Sequence, residues 1–241
     1  IGGSACPPAM ITAFQEGYGV TVLHAWGMTE MSPLGTLCTL KNKHLSLPKD
    51  EQMKIVQKQG RAIYGVDMKI VGGDGEELPW DGKTYGDLLV KGPWIVGSYF
   101  KGEGGDPLIK DSRGRGWFPT GDVATIDADG FMQITDRSKD VIKSGGEWIS
   151  SVDLENALMA HPAVAEAAVI AIPDDKWSER PLACVVLKPG QVAEPAALNA
   201  HLLQHHFAKW QCPERYEFID AVPRTSTGKF WKLKLREMFP R

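Results

Sequence analysis

The sequence has few cysteines, no long apolar run and no excess of positive charge. Its four cysteines, at positions 6, 38, 184 and 212, are widely spaced and form no CxxC pair, so free thiols are expected. No apolar run approaches the roughly 20 residues that a membrane-spanning helix needs. A formal net charge of −3 means that the chain lacks the excess of positive charge that nucleic-acid binding favours. No signal peptide is visible, and a cytoplasmic location is expected.

Ordinary composition places the chain among globular proteins. Hydrophobic residues make up 43% and charged residues 24% of its 241 positions, which excludes a disordered or collagen-like protein. By length, the chain forms one large domain or two small ones. It opens on Ile1 rather than on a methionine, so a fragment of a longer protein is expected.

Two hydrophobic patterns divide the chain near 136–139. Before that point, a helix is expected over 8–18. Short strand-like runs between 66 and 136 alternate with Asp-Gly turns, which predicts a small antiparallel sheet or barrel. After it, the periodicity predicts a compact α+β unit of about 100 residues. The elements expected there are helices over 150–160, 194–207 and 232–238 and strands over 163–172, 182–187 and 216–219.

Asp122 ends the run WFPTGD (117–122), at the mouth of a predicted strand. An aspartate in this place can present both carboxylate oxygens to a vicinal diol, such as the diol of a ribose. The alternative is an aspartate that only caps the Thr-Gly turn.

A charged segment, DRSKDVIKSGGE (136–147), follows the predicted sheet. The cations Arg137, Lys139 and Lys143 could bind phosphates or ribose oxygens. Gly145 and Gly146 would let a narrow ligand approach the backbone. The alternative is a solvated linker between domains.

The loop PRTSTGK (223–229) ends in Lys229, whose ammonium could reach a phosphate. It is not a Walker P-loop, because no glycine lies five positions before Gly228 and Phe230 follows the lysine. An ordinary surface loop is the alternative.

Near the start of the chain, the glycine-rich segment 2–5 and AWGMTE (25–30) flank the first predicted helix. Trp26 could stack on a planar base, Thr29 could offer a hydroxyl to a phosphate, and Glu30 could give Mg²⁺ a hard oxygen. Core packing for Trp26 and a surface charge for Glu30 are the alternatives.

Two other classes of site receive little support. His201 and His205 stand four residues apart on a predicted helix, a spacing that could hold zinc, but no third ligand is evident. A solvated helix face is therefore favoured. The GxSxG motif of many serine hydrolases is absent.

In this order, the motifs resemble those of the adenylate-forming superfamily of acyl-CoA synthetases, luciferases and peptide-synthetase adenylation domains. Three stretches look most like bacterial medium- and long-chain fatty acyl-CoA synthetases. They are DRSKDVIKSGGEWISSVDLEN, PDDKWSERPLACVVLKPG and FAKWQCPERYEFIDAVPRTSTGKF. The resemblance covers essentially the whole chain.

The resemblance implies that one group of residues binds the nucleotide. Thr29 would contact the α-phosphate, and Glu30 would hold Mg²⁺. The residues that would border adenine or bind ribose are Gly3, Ser4, Ala5, Trp26, Gly27, Asp122 and Arg137.

A second group would serve a small mobile domain. Lys139 would be its hinge, Gly145 and Gly146 would flank the pantetheine channel, and Lys143 would contact the cofactor nearby. Lys229 would be the lysine of the adenylation step.

The implied fold is a mixed α+β fold in two parts. Residues 1–138 would be the end of a large AMP-binding domain with a small β-barrel subdomain, and 139–241 a compact C-terminal domain. The family's phosphate loop (TSGTTGxPKG-like) does not occur in the sequence, so the 241 residues alone are expected to be inactive.

The implied activity is that of a fatty acid–CoA ligase that uses ATP, Mg²⁺ and CoA. A homodimer and peripheral membrane contact remain open. One alternative is an enzyme that loads a carrier protein or uses a non-fatty carboxylic acid. Another is an isolated, non-catalytic module.

Overall fold

The computed structural model describes residues 1–3, 6, 8–226 and 228–240. The predicted adenine contacts Ser4 and Ala5 lie outside the described residues. The chain forms two compact units, Ile1–Thr135 and Asp136–Arg241. The division lies at the start of the segment 136–139, where the hydrophobic pattern changes.

The first unit combines short strands with two helices. The helices are α1 (Pro8–Tyr18) and α2 (Lys49–Val56). The strands are β1 (Ala25–Gly27), β2 (Leu34–Leu37), β3 (Arg61–Ala62), β4 (Asp67–Val71), β5 (Tyr85–Lys91), β6 (Ile109–Lys110), β7 (Gly116–Ile126) and β8 (Met132–Arg137).

These strands make two sheets rather than the expected barrel. One has the order β1-β2-β3, and the other runs β4-β5-β7-β6, with β8 also paired to β7. The strand-like runs and their hairpins were correctly predicted. Among the described residues, however, no ladder joins the ends of the larger sheet, so the barrel prediction is corrected to an open sheet. Closure depends on pairing between distant edge strands, which a local pattern does not encode.

The second unit is a five-stranded sheet with helices on both faces. Its helices are α3 (Ser151–Met159), α4 (Pro195–Gln204) and α5 (Lys232–Met238). Its strands are β9 (Ile142–Ser144), β10 (Glu147–Ile149), β11 (Val164–Asp174), β12 (Ser178–Leu187) and β13 (Arg215–Phe218). The strand order is β10-β9-β12-β11, and β13 pairs in parallel with β12.

Strand β11 explains why this unit is compact. Ala167 and Val169 pack into the core cluster that contains the buried residues of α3 and α4. Ala168 and Ile170 point to the other face, into the cluster with Leu235 of α5. A strand covered on both faces reads as a continuous apolar run, as this one does.

All four cysteines are free and buried, and burial raises the pKa of Cys184 to about 12. Nε2 of His201 lies 3.0 Å from the Ala157 carbonyl oxygen, and the described residues contain no cluster of three metal-binding side chains. No helix among the described residues is long and apolar enough to cross a membrane.

Candidate functional site

Trp26 and Asp122, two predicted nucleotide-binding residues, meet inside the first unit. The Trp26 indole Nε1 donates a hydrogen bond to Asp122 Oδ2 at 3.0 Å. Asp122 is only 3% exposed and Trp26 is 8% exposed. The indole therefore packs in the core and helps to orient the carboxylate.

A bulge in β7 places Asp122 at this position. The pairing with β5 shifts register between Asp87 and Leu89, opposite the residues around Gly121. Gly121 has a φ of 71°, a left-handed conformation that favours glycine. The Thr120 hydroxyl donates to the Leu88 carbonyl and accepts from the Asp122 amide, at 2.9 and 3.1 Å. Bulges of this kind redirect a side chain locally.

Thr29 and Glu30 lie on a single 3₁₀ turn, Thr29–Met31, which follows β1. Thr29 is exposed, and Glu30 is partly buried. Oε1 of Glu30 accepts a hydrogen bond of 3.2 Å from the Tyr99 hydroxyl, and the Glu30 carbonyl accepts one from the Val96 amide. Desolvation and the neighbouring Glu30 carboxylate raise the pKa of Tyr99.

Gly27 and Gly3 occupy different environments. A Cβ at Gly27 would lie 1.9 Å from the Pro33 carbonyl oxygen, so this position admits only glycine. Gly3 is exposed with a φ of 85° and has open space around it. Gly27 thus has a packing role of its own, whereas Gly3 leaves its backbone accessible.

In the second unit, Lys229 stands on a tight backbone loop. The Thr225 amide donates to the Lys229 carbonyl at 2.8 Å, and the Gly228 amide donates to the Thr225 carbonyl at 2.9 Å. A guanidinium nitrogen of Arg224 also donates to the Gly228 carbonyl. Lys229 is exposed, and its ammonium has no hydrogen bond or ion pair with any described residue. The hydrogen-bonded backbone of this loop therefore holds Lys229 in place with its ammonium group open to solvent.

Gly145 and Gly146 form the two-residue turn between β9 and β10. Their φ values are 62° and 88°, as a type I′ turn requires at both central positions. The Gly145 amide donates to the Trp177 carbonyl at 2.8 Å, and a Cβ at Gly145 would lie 2.7 Å from the Trp177 ring. Gly145 is thus required for contact with Trp177, whereas Gly146 faces open space.

A cavity of about 810 Å³ lies beside this turn. Indole rings of Trp177 and Trp210 contribute to its walls, together with Arg180 and Lys209. Arg180 is buried and bonds Ser144, the Trp210 and Cys212 carbonyls and Glu214. No local sequence pattern indicates this cavity, because its walls come from four separate segments.

The three predicted cations near the unit boundary are exposed. Arg137 ends β8, and Lys139 lies in the turn that follows it. The ammonium of Lys143 lies 5.7 Å from the centre of the Trp148 ring, and its backbone amide donates to Glu179. Lys143 therefore shares the β9–β10 hairpin with Gly145 and Gly146, while Lys229 lies on a separate loop.

Family profiles match both parts of the chain. The profile of the AMP-binding enzyme family matches residues 1–100, and that of the AMP-binding enzyme C-terminal domain matches residues 153–229. The chain belongs to the AMP-binding, or adenylate-forming, enzymes. Its resemblance to this superfamily is thereby confirmed.

Individual relatives agree with this assignment. The chain is 54% identical over 99% of its length to a 3-methylmercaptopropionyl-CoA ligase from Ruegeria pomeroyi, and 48% identical to a long-chain-fatty-acid–CoA ligase from Thermus thermophilus. It spans 43% of the length of each. The crystal structure of ATP-bound MatB from Rhodopseudomonas palustris matches 99% of this chain with a TM-score of 0.80 and 28% identity, over 44% of its own length.

The buried Trp26–Asp122 bond gives a testable prediction. Asp122→Ala leaves the indole N–H buried without this acceptor and should lower the free energy of unfolding by about 1–3 kcal/mol. Asp122→Asn retains an acceptor oxygen and should lose less. Urea denaturation measures both variants, and the loss from Asp122→Ala should shrink in a Trp26→Phe background. Equal losses in both backgrounds would show that the bond does not stabilise the unit.

Proposed function

We propose that this chain is the carboxyl-terminal part of an ATP-dependent acyl-CoA ligase. The enzyme joins a fatty or related carboxylic acid to CoA through an acyl-adenylate and releases pyrophosphate and then AMP. This proposal rests on the similarity to acyl-CoA ligases, which extends over 99% of the chain. The arrangement of the candidate residues supports it.

The first unit would bind the nucleotide. Asp122 presents a carboxylate whose direction is set by Trp26 and the β7 bulge, and this carboxylate would bind the ribose hydroxyls. Gly3, with open space around its backbone, would border adenine together with Ser4 and Ala5. Because Trp26 is largely buried, only its edge would contribute to the adenine wall.

Adenylation brings two anions together, since the substrate carboxylate attacks the α-phosphate of ATP. The exposed ammonium of Lys229 would offset that repulsion, and the exposed Thr29 hydroxyl would contact the α-phosphate. Little covalent chemistry is required of the protein, so orientation and charge dominate. A Mg²⁺ ion would supply further charge neutralisation when bound. Glu30 suits it, because Mg²⁺ on nucleotides commonly takes one or two carboxylates besides phosphate oxygens.

Thioester formation requires a path for the CoA thiol. Gly146 faces open space, and the cavity beside Gly145 offers two indole walls for a planar base. Cavity residues Arg180 and Lys209 are balanced by Glu147 and Glu214, so the lining has no excess positive charge. The preference for CoA over a carrier protein therefore rests on the relatives.

The two steps need different faces of the second unit. We infer that this unit swings about Lys139, presenting Lys229 for adenylation and the Gly145–Gly146 turn for thioester formation. The division of the chain between Thr135 and Asp136 supports a pivot in this segment.

A pyrophosphate-release screen of the full-length enzyme tests the proposed function. The acids would be a series of straight-chain fatty acids and 3-methylmercaptopropionate, each with ATP and with or without CoA. Release with at least one fatty acid is expected. Release with 3-methylmercaptopropionate alone would favour the non-fatty alternative, and no release with any acid would contradict the proposal.

A further inference from the structure

Helix α5 carries two cations on one face, beginning three residues after Lys229. Lys232 and Arg236 stand four residues apart, so their side chains lie on neighbouring turns. Neither residue was predicted as part of the site. Both bind groups that are distant in sequence.

Lys232 fixes the start of α5 to α3. Its ammonium lies 2.7 Å from Glu155 Oε1 and donates to the Ser151 hydroxyl at 2.6 Å. Both charged side chains are about nine-tenths buried. The Ser151 amide in turn donates to Asp136 Oδ2 at 2.6 Å. This ion pair anchors the helix that follows the Lys229 loop.

Arg236 binds the segment that contains the proposed hinge. One terminal nitrogen of its guanidinium donates to the Lys139 carbonyl at 3.1 Å and to Asp140 Oδ1 at 2.7 Å. The backbone closes a turn here, since the amides of Asp140 and Val141 both donate to the Arg137 carbonyl. Arg236 therefore holds the carboxyl side of Lys139 against α5.

We propose that Arg236 is a positioning residue for the swing of the second unit. By fixing the Lys139 carbonyl and Asp140, it confines the rotation to dihedral angles that precede that carbonyl. The Lys139 carbonyl, Asp140 and helix α5 then move as one body. This inference rests on the proposed function, because it assumes that the two half-reactions need two orientations.

Loss of Arg236 would free further dihedral angles at the hinge. The second unit would then adopt a wider range of orientations in each half-reaction. A small misplacement of catalytic groups lowers the rate strongly. We expect Arg236→Gln to lower kcat of both half-reactions by about tenfold or more. The KM for ATP should stay near the wild-type value, because the ribose and phosphate contacts proposed in the first unit are untouched.

Lys234→Gln is the matched control. Lys234 lies on the same helix and is exposed, and among the residues that the structure describes its ammonium pairs with Glu237 alone, at 3.0 Å. Arg236→Lys retains a charge for Asp140 and should recover part of the rate, whereas Asp140→Asn in the Arg236→Gln background should add little further loss. Each rate is divided by the fraction of active enzyme, so that a folding defect does not imitate the effect.

Limited trypsin digestion measures how accessible the hinge is, and this measurement does not depend on enzyme activity. Cleavage after Lys139 should be several times faster in Arg236→Gln than in Lys234→Gln. Equal cleavage, together with kcat values that match those of the control, would overturn the proposal. A wild-type enzyme that forms no acyl-adenylate would instead overturn the proposed function, and this inference with it.

Discussion

Lys229→Ala should lower acyl-adenylate formation in the full-length enzyme by about 10²–10³-fold, the usual loss when one charge-stabilising contact is removed. Thioester formation from preformed acyl-AMP should be nearly unchanged. The physical reason is that only the first step brings a carboxylate against the α-phosphate. Rapid-quench assays of the two half-reactions measure the difference.

The loop geometry makes this substitution a clean test. The backbone bonds between Thr225, Gly228 and Lys229 do not involve the lysine side chain, so alanine should leave the loop in place. Lys234→Ala, at an exposed lysine on α5, is the control for a general loss of positive charge. Equal losses in both half-reactions of Lys229→Ala would contradict the assignment.

Lys232→Met should destabilise the second unit by about 3–5 kcal/mol, because it leaves the Glu155 carboxylate buried without its ion-pair partner. The two side chains are 11% and 9% exposed. Adding Glu155→Gln should restore much of the loss, since glutamine keeps an acceptor for the Val169 amide. Urea denaturation of the 241-residue chain measures each variant, with Lys234→Met as the exposed control.

The cost of Lys232→Met should depend on pH. Burial raises the pKa of Glu155, and the Lys232 ammonium opposes that rise. In the variant, the native state therefore holds the Glu155 proton to a higher pH than the unfolded chain does, and stability increases as pH falls through that range. The difference in free energy of unfolding between wild type and Lys232→Met should therefore narrow as pH approaches the ordinary glutamate pKa of about 4.3. A difference that stays constant with pH would mean that loss of the ion pair does not cause the destabilisation.

Local patterns predicted most of the secondary structure. The first helix was expected over 8–18 and the last over 232–238, and both have these bounds in the structure. Ser150, the first residue of the helix expected over 150–160, accepts a hydrogen bond from the Asp153 amide and caps α3. Caps and apolar periodicity are local signals, so they are legible in one sequence.

Tertiary contacts were less predictable. The bond between Trp26 and Asp122 joins residues 96 positions apart, and the sequence left open whether the indole packs in the core. Arg236 meets Lys139 across 97 positions, with no local pattern to indicate it. Tyr99, which bonds Glu30, was missed for the same reason. Chemistry could be assigned to residues with a motif, but not to their distant partners.

The proposed two-step reaction is tested by the products that the full-length enzyme forms from ATP and an accepted acid before and after CoA is added. We expect acyl-AMP and pyrophosphate without CoA, and then acyl-CoA and AMP in equal amounts once CoA is supplied. Formation of ADP and phosphate, or a thioester that appears with no preceding acyl-AMP, would contradict it.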